Sequence, residues 1–79
     1  MASLRVRFGR RVRELRTKRG WTQEQLAAKA GKHWTYIGGI ERGERNPTLE
    51  VIADLAAALN VPVANLFTSS RRRGDASSG

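Results

Sequence analysis

The sequence predicts an all-α domain of five helices, and three observations carry that expectation. Apolar residues recur at spacings of three and four. Threonines stand immediately ahead of two of these periodic stretches, in the position of a helix N-cap. Glycine or asparagine follows each of the first four stretches, and no segment fits a strand better than a helix.

The first helix is expected from about Leu4 to Lys18. Phe8, Val12 and Leu15 form one stripe on a 3.6-residue period, arginines cover the remainder, and Gly20 ends it. Thr22 opens the second helix with a capping box. The threonine hydroxyl accepts from the backbone three residues on, and Gln25 reaches back. Trp21 before the cap and Leu26 after it have the spacing of a hydrophobic staple. Leu26, Ala27 and Ala30 face inward, and Gly31 closes the helix after about eight residues. The third helix begins near His33 or Trp34 and runs to Arg42, with Ile37 and Ile40 buried, Tyr36 at the margin and Gly43 as its stop. Gly43 to Pro47 is turn chemistry. Thr48 caps the fourth helix, whose stripe is Leu49, Ile52, Leu55, Ala56 and Leu59, and Asn60 takes the left-handed residue at its end. Pro62 sits in the first turn of a short fifth helix that ends in Leu66 and Phe67.

Seventy-nine residues allow one domain with a small core. With no cysteine there is no disulfide framework and no thiolate metal site, and a single histidine, His33, excludes a His-rich metal centre. No apolar run is long enough to span a membrane. These features point to a soluble cytoplasmic protein. The net charge is +8, and its distribution is uneven. Residues 1–19 hold eight basic side chains against one acid, Glu14, whereas residues 20–70 hold four basic and five acidic groups. Residues 1–67 read as the domain. Residues 68–79, with Arg71, Arg72 and Arg73, read as a disordered basic tail that either touches phosphate or is merely solvated. A polyanionic partner is the default reading of such an excess.

Two short helices joined through Gly31 must cross steeply. Such a pair can lay its second helix in the DNA major groove while its first crosses the phosphate backbone. The residues that support this are Thr-Gln-Glu-x-Leu-Ala from Thr22, Ile-Glu-Arg-Gly from Ile40, Asn-Pro-Thr-Leu from Asn46 and the closing Leu66-Phe67. From Phe8 to Phe67 the chain resembles the Cro/C1-type helix-turn-helix repressors, also called the xenobiotic-response-element family. Among them it looks most like small stand-alone phage repressors and restriction–modification controllers. The resemblance implies the five-helix, lambda repressor-like fold and a transcription regulator that binds double-stranded DNA.

The resemblance also implies roles for residues. His33, Trp34, Thr35 and the outward face at Gly38 and Gly39 fall at base-contacting positions. Gln23, Arg42, Arg45 and Asn46 fall at phosphate-contacting ones, with Arg10 and Lys32 as further candidates. Arg5, Arg7 and Arg13 read equally well as a solvated face. Arg16 and Glu41 are implied to form a structural ion pair between the first and third helices. The chain departs from the family where Lys32 replaces a small apolar residue, where His33 replaces a Ser or Thr cap, and at the two glycines. Glycines 38 and 39 together cost the third helix roughly 2 kcal/mol relative to alanine, but let its backbone approach the groove floor. Direct readout is then expected to be poorer than usual. Apolar contact from Trp34 and Thr35, together with DNA shape, would carry more of the specificity.

One such domain reads only a few base pairs, so a homodimer on a pseudo-palindromic operator is expected, its half-sites about 34–36 Å apart. Val61, Val63, Leu66 and Phe67 are the candidate interface, part of an apolar surplus in the last two helices. No cofactor, metal or small-molecule ligand is implied. Three rival readings remain. Catalysis lacks paired carboxylates, a nucleophile–base pair or a phosphate-binding glycine loop. An antitoxin would use the same domain and add a protein toxin as partner, for which the tail is short. A membrane-surface helix would need the narrow apolar stripe that the core already claims.

Overall fold

The computed structural model describes residues 2–68. The reading of residues 69–79 as a disordered tail lies outside the described residues. Four α-helices follow one another: α1 (Leu4–Lys18), α2 (Gln23–Ala30), α3 (Trp34–Glu41) and α4 (Leu49–Leu59). A 3₁₀ turn, Val63–Phe67, stands where a fifth helix was expected. The reason is local. Only five residues separate Pro62 from Thr68, too few to sustain successive α-helical turns, and the turn closes by an i→i+3 bond from Asn65 N to Pro62 O at 2.9 Å.

The caps set where each helix begins. The Thr22 hydroxyl accepts from Gln25 N at 3.1 Å, and Gln25 Oε1 accepts from Thr22 N at 2.8 Å. Thr48 caps α4 in the same way, through Val51 N. Ser3, which the periodicity does not single out, accepts from Val6 N and starts α1. At the far end of α2, Gly31 takes φ +70°, and the amide of Lys32 returns to the Ala27 carbonyl at 2.9 Å. That left-handed residue directs the chain from α2 into α3.

Phe8, Val12 and Leu15 of α1 pack with Leu26, Ala27, Ala30, Ile37, Ile40, Leu55, Ala56, Leu59 and Leu66 in one core. Leu49, expected on the buried stripe of α4, is instead 81% exposed. It is the first helical residue and stands beyond the edge of the core, so the inward stripe begins with half-buried Ile52. Leu66, expected at an interface, is fully enclosed in the core because the tight turn directs it inward beneath α1 and α4.

α1 and the end of α3 meet at Gly9. A Cβ there would overlap the Ile40 carbonyl oxygen and lie 2.9 Å from that of Glu41. Gly43 has φ +76°, and a Cβ on it would come within 2.7 Å of Val6 Cγ2. These two close approaches set how α3 sits on α1.

Candidate nucleic-acid interface

α3 is divided along its length. Ile37 through Glu41 are buried, whereas His33, Trp34 and Thr35 at its start are exposed, Trp34 by 47%. Trp34 is therefore not a core residue. His33 does the work of a cap although it is neither Ser nor Thr. Its Nδ1 accepts from Thr35 N at 3.2 Å, and the Thr35 hydroxyl lies 2.8 Å from the same nitrogen. The Trp34 ring stacks on the imidazole, centroids 6.0 Å apart and planes inclined by 26°.

Gly38 and Gly39 do not form a bare face. Arg42 Nη1 and Gln23 Oε1 lie 3.1 and 3.3 Å from where a Gly38 Cβ would be, and Arg45 Cγ lies 3.0 Å from that of Gly39. The missing side chains make room for two arginine arms folded back over the helix, so both glycines are buried. Arg45 also lies over the Tyr36 ring, 5.5 Å from its centroid. Arg42 donates from Nε to Glu44 at 3.1 Å. That bond raises the Arg42 pKa and holds the Glu44 carboxyl below its ordinary value. Both groups are exposed, so the pair contributes little stability.

Behind this surface a charged bracket ties three elements together. Arg16 grips Glu41 with two parallel bonds, Nε to Oε2 at 2.6 Å and Nη2 to Oε1 at 2.9 Å, and its Nη1 donates to the Trp21 carbonyl at 2.7 Å. The hydrogen bonds to Glu41 raise the Arg16 pKa against the opposing effect of burial. Gln23 Nε2 donates to the same Glu41 oxygen at 3.0 Å. Gln23 is thereby held at the first turn of α2, where free backbone N–H groups and the positive end of the helix dipole favour an anion.

The structure brings Gln23, Trp34, Thr35, Arg42 and Arg45 to one region around α3. Lys32 lies next to it but is paired with Asp54 of α4 at 2.9 Å. Asn46 is exposed in the loop after α3 and lines a groove with Leu4, Phe8, Pro47, Ile52 and Phe67. Arg10 is not gathered to α3. It is exposed on α1 and lines a second groove with Arg7 and Phe67. Among the expected interface residues, Val63 and Phe67 are exposed, Val61 is half-buried and Leu66 is sealed in the core.

The basic excess of α1 is also not all available to a polyanion. Arg11 Nε donates to Asn65 O at 2.7 Å and anchors the 3₁₀ turn, while its Nη1 pairs with Glu14. Arg19 bonds the carbonyls of Leu15 and Leu59 at 2.8 and 2.7 Å, tying α4 to α1. With Arg16, three of the eight basic residues in positions 1–19 thus hold the fold together. No periodic pattern distinguishes them from Arg5, Arg7, Arg10, Arg13 and Lys18, all exposed. Among the described residues there is no helix long and apolar enough to cross a membrane and no cluster of groups suited to a metal ion.

The short capped α2, the left-handed turn and the outward start of α3 define a helix-turn-helix, and comparison with known proteins gives the same answer. The helix-turn-helix family model matches residues 12–66, and the chain belongs to that family, in its Cro/C1-type branch. The control protein C.SmaI of Serratia marcescens is 51% identical over 57 residues, 72% of this chain and 68% of that protein. The restriction-modification controller protein C.AhdI of Aeromonas hydrophila superposes with a TM-score of 0.77 at 50% identity, covering 78% of this chain and 94% of that one. The controller protein C.Esp1396I, solved as a tetramer in complex with its natural 35 base-pair operator, has a TM-score of 0.77 at 33% identity, covering 85% and 88%.

Proposed function

We propose that this chain is a sequence-specific regulator of transcription that binds double-stranded DNA as a homodimer on a pseudo-palindromic operator, and that it is not an enzyme. The observation that carries the reading is the division of α3. Its end is locked to α1 and α2 through Glu41, while His33, Trp34 and Thr35 project outward beside Gln23, Arg42 and Arg45. A helix presented in this way fits the major groove, with its first turn toward the base edges. Gln23 and the α2 amides meet one phosphate, and Arg42, Arg45 and Asn46 meet the strand on the other side of α3. The operator complex of C.Esp1396I supports the operator-binding part of this reading.

The dimer surface is best built from apolar groups that the folded chain leaves outside. Leu49, Val63, Phe67 and Leu4 are the exposed ones on α4, the 3₁₀ turn and the start of α1, and Val61 is half-buried against the core. Leu66 is in the core and takes no part in it.

Selection from a random duplex library followed by titration on the recovered site tests the reading. A single preferred motif with inverted-repeat symmetry is expected. With ~6–10 phosphates neutralised, affinity should fall about 10³–10⁵-fold between 50 and 200 mM salt. Enrichment of nothing at the lower salt concentration would overturn it.

A further inference from the structure

The exposed side chains that lead α3 differ in what each can offer a base edge, and the His33–Thr35 geometry determines the difference. Nδ1 of His33 lies 3.2 Å from the backbone nitrogen of Thr35 in hydrogen-bonding geometry. A backbone amide only donates, so Nδ1 is the acceptor and carries no proton. The one N–H of the neutral ring is then on Nε2. The Thr35 hydroxyl oxygen lies 2.8 Å from the same unprotonated nitrogen. In the tautomer that accepts from the Thr35 amide, the hydroxyl is the donor of this second contact and shares the single Nδ1 lone pair with that amide in a three-centre bond. What Thr35 shows to its surroundings is a pair of oxygen lone pairs and a methyl group. Trp34, stacked on the imidazole, has a single N–H and accepts nothing.

We infer that His33 is a positioning residue that fixes Thr35 as a hydrogen-bond acceptor, so that α3 reads an exocyclic amine in the major groove, either adenine N6 or cytosine N4. This deepens the DNA-binding reading and rests on it. His33 Nε2 and Trp34 Nε1 can only donate, to a guanine O6 or N7, a thymine O4 or a phosphate oxygen. The Thr35 methyl fits beside a neighbouring thymine methyl. A free threonine hydroxyl turns to suit a donor or an acceptor. Held by His33 it cannot, and a residue that is ordinarily permissive becomes selective.

Two measurements test this on the full chain. The chain has one histidine, so long-range ¹H–¹⁵N correlation of the imidazole near pH 8 reports His33 without ambiguity. The proton is expected on Nε2; a proton on Nδ1, or an averaged mixture, overturns the inference. The second measurement uses the duplex recovered by selection. Each half-site adenine is replaced by purine, which lacks the N6 amine, and each cytosine by 2-pyrimidinone, which lacks the N4 amine. Wild type should lose roughly two- to tenfold in affinity at one position, and Thr35→Val should lose nothing there.

His33→Ala should weaken discrimination at that position. His33→Asn, whose amide oxygen can receive both Thr35 protons, should preserve it. Circular dichroism of both variants separates this outcome from loss of the helix. Absence of any such position, or coupling of Thr35→Val to a base carbonyl instead, overturns the inference while leaving DNA binding intact. Failure to select any duplex overturns the DNA-binding reading, and the inference with it.

Discussion

At Gly9 the axes of α1 and α3 come close enough that a single methyl group would meet two backbone carbonyls, those of Ile40 and Glu41. Backbone cannot turn aside as a flexible side chain can. Gly9→Ala, which by helix propensity alone would stabilise α1 by about 1 kcal/mol, is therefore expected to destabilise the domain by roughly 1–3 kcal/mol. Urea unfolding followed by circular dichroism measures the difference. No local pattern in the sequence singles out Gly9, because the atoms that demand it lie some thirty residues away. Glu41 is a contrasting case. Its place beside Ile40 and the family resemblance together suggest a pairing with Arg16, and the structure shows the two in a bidentate contact with Gln23 on the same carboxylate. Both charged partners are buried, so Glu41→Ala leaves a guanidinium without its counter-ion and should cost about 3–5 kcal/mol. In so small a domain that shows as a large drop in Tm.

At the scale of the element, α3 contradicts its own composition. Eight residues with two central glycines make a poor isolated helix. It persists because Ile37 and Ile40 are wholly or almost wholly buried, His33 caps its start, and Arg42 and Arg45 cover the glycines. The three atoms nearest to a Cβ at Gly39 all belong to the Arg45 side chain, which can move. Gly39→Ala is accordingly expected to hold or raise stability, by up to about 1 kcal/mol, while displacing Arg45 from the Tyr36 ring. A change in duplex affinity without loss of Tm is the predicted result, read by fluorescence anisotropy alongside thermal melting. Glycine at 38 and 39 is legible as an absence of side chains. What fills that absence depends on where the chain returns after Gly43, which no local pattern records.

For the whole molecule, the question is which apolar groups the fold leaves outside. Periodicity places Leu49 with Leu55 and Leu59, and the apolar surplus of the last two helices puts Leu66 in the candidate interface with Val61, Val63 and Phe67. The structure reverses both assignments. Leu66 is buried without remainder, and Leu49 is the most exposed large apolar residue described. A glutamate at position 49 meets no core and should not unfold the chain. Leu49→Glu is expected to shift sedimentation toward the monomer, leave Tm within a few degrees of wild type measured as monomer, and weaken operator binding. Loss of folded signal would instead return Leu49 to the core.

Helix positions, caps, stops and the family motifs depend on residues within a few positions of one another, so the chain alone determined the four α-helices and the turn between α2 and α3. Which of its arginines brace the fold, which glycines admit a neighbouring backbone, and which leucines face outward depend on contacts between distant segments. Those choices were made only when α1, α3, α4 and the 3₁₀ turn packed together, because a charge or a methyl group takes its role from what lies across from it.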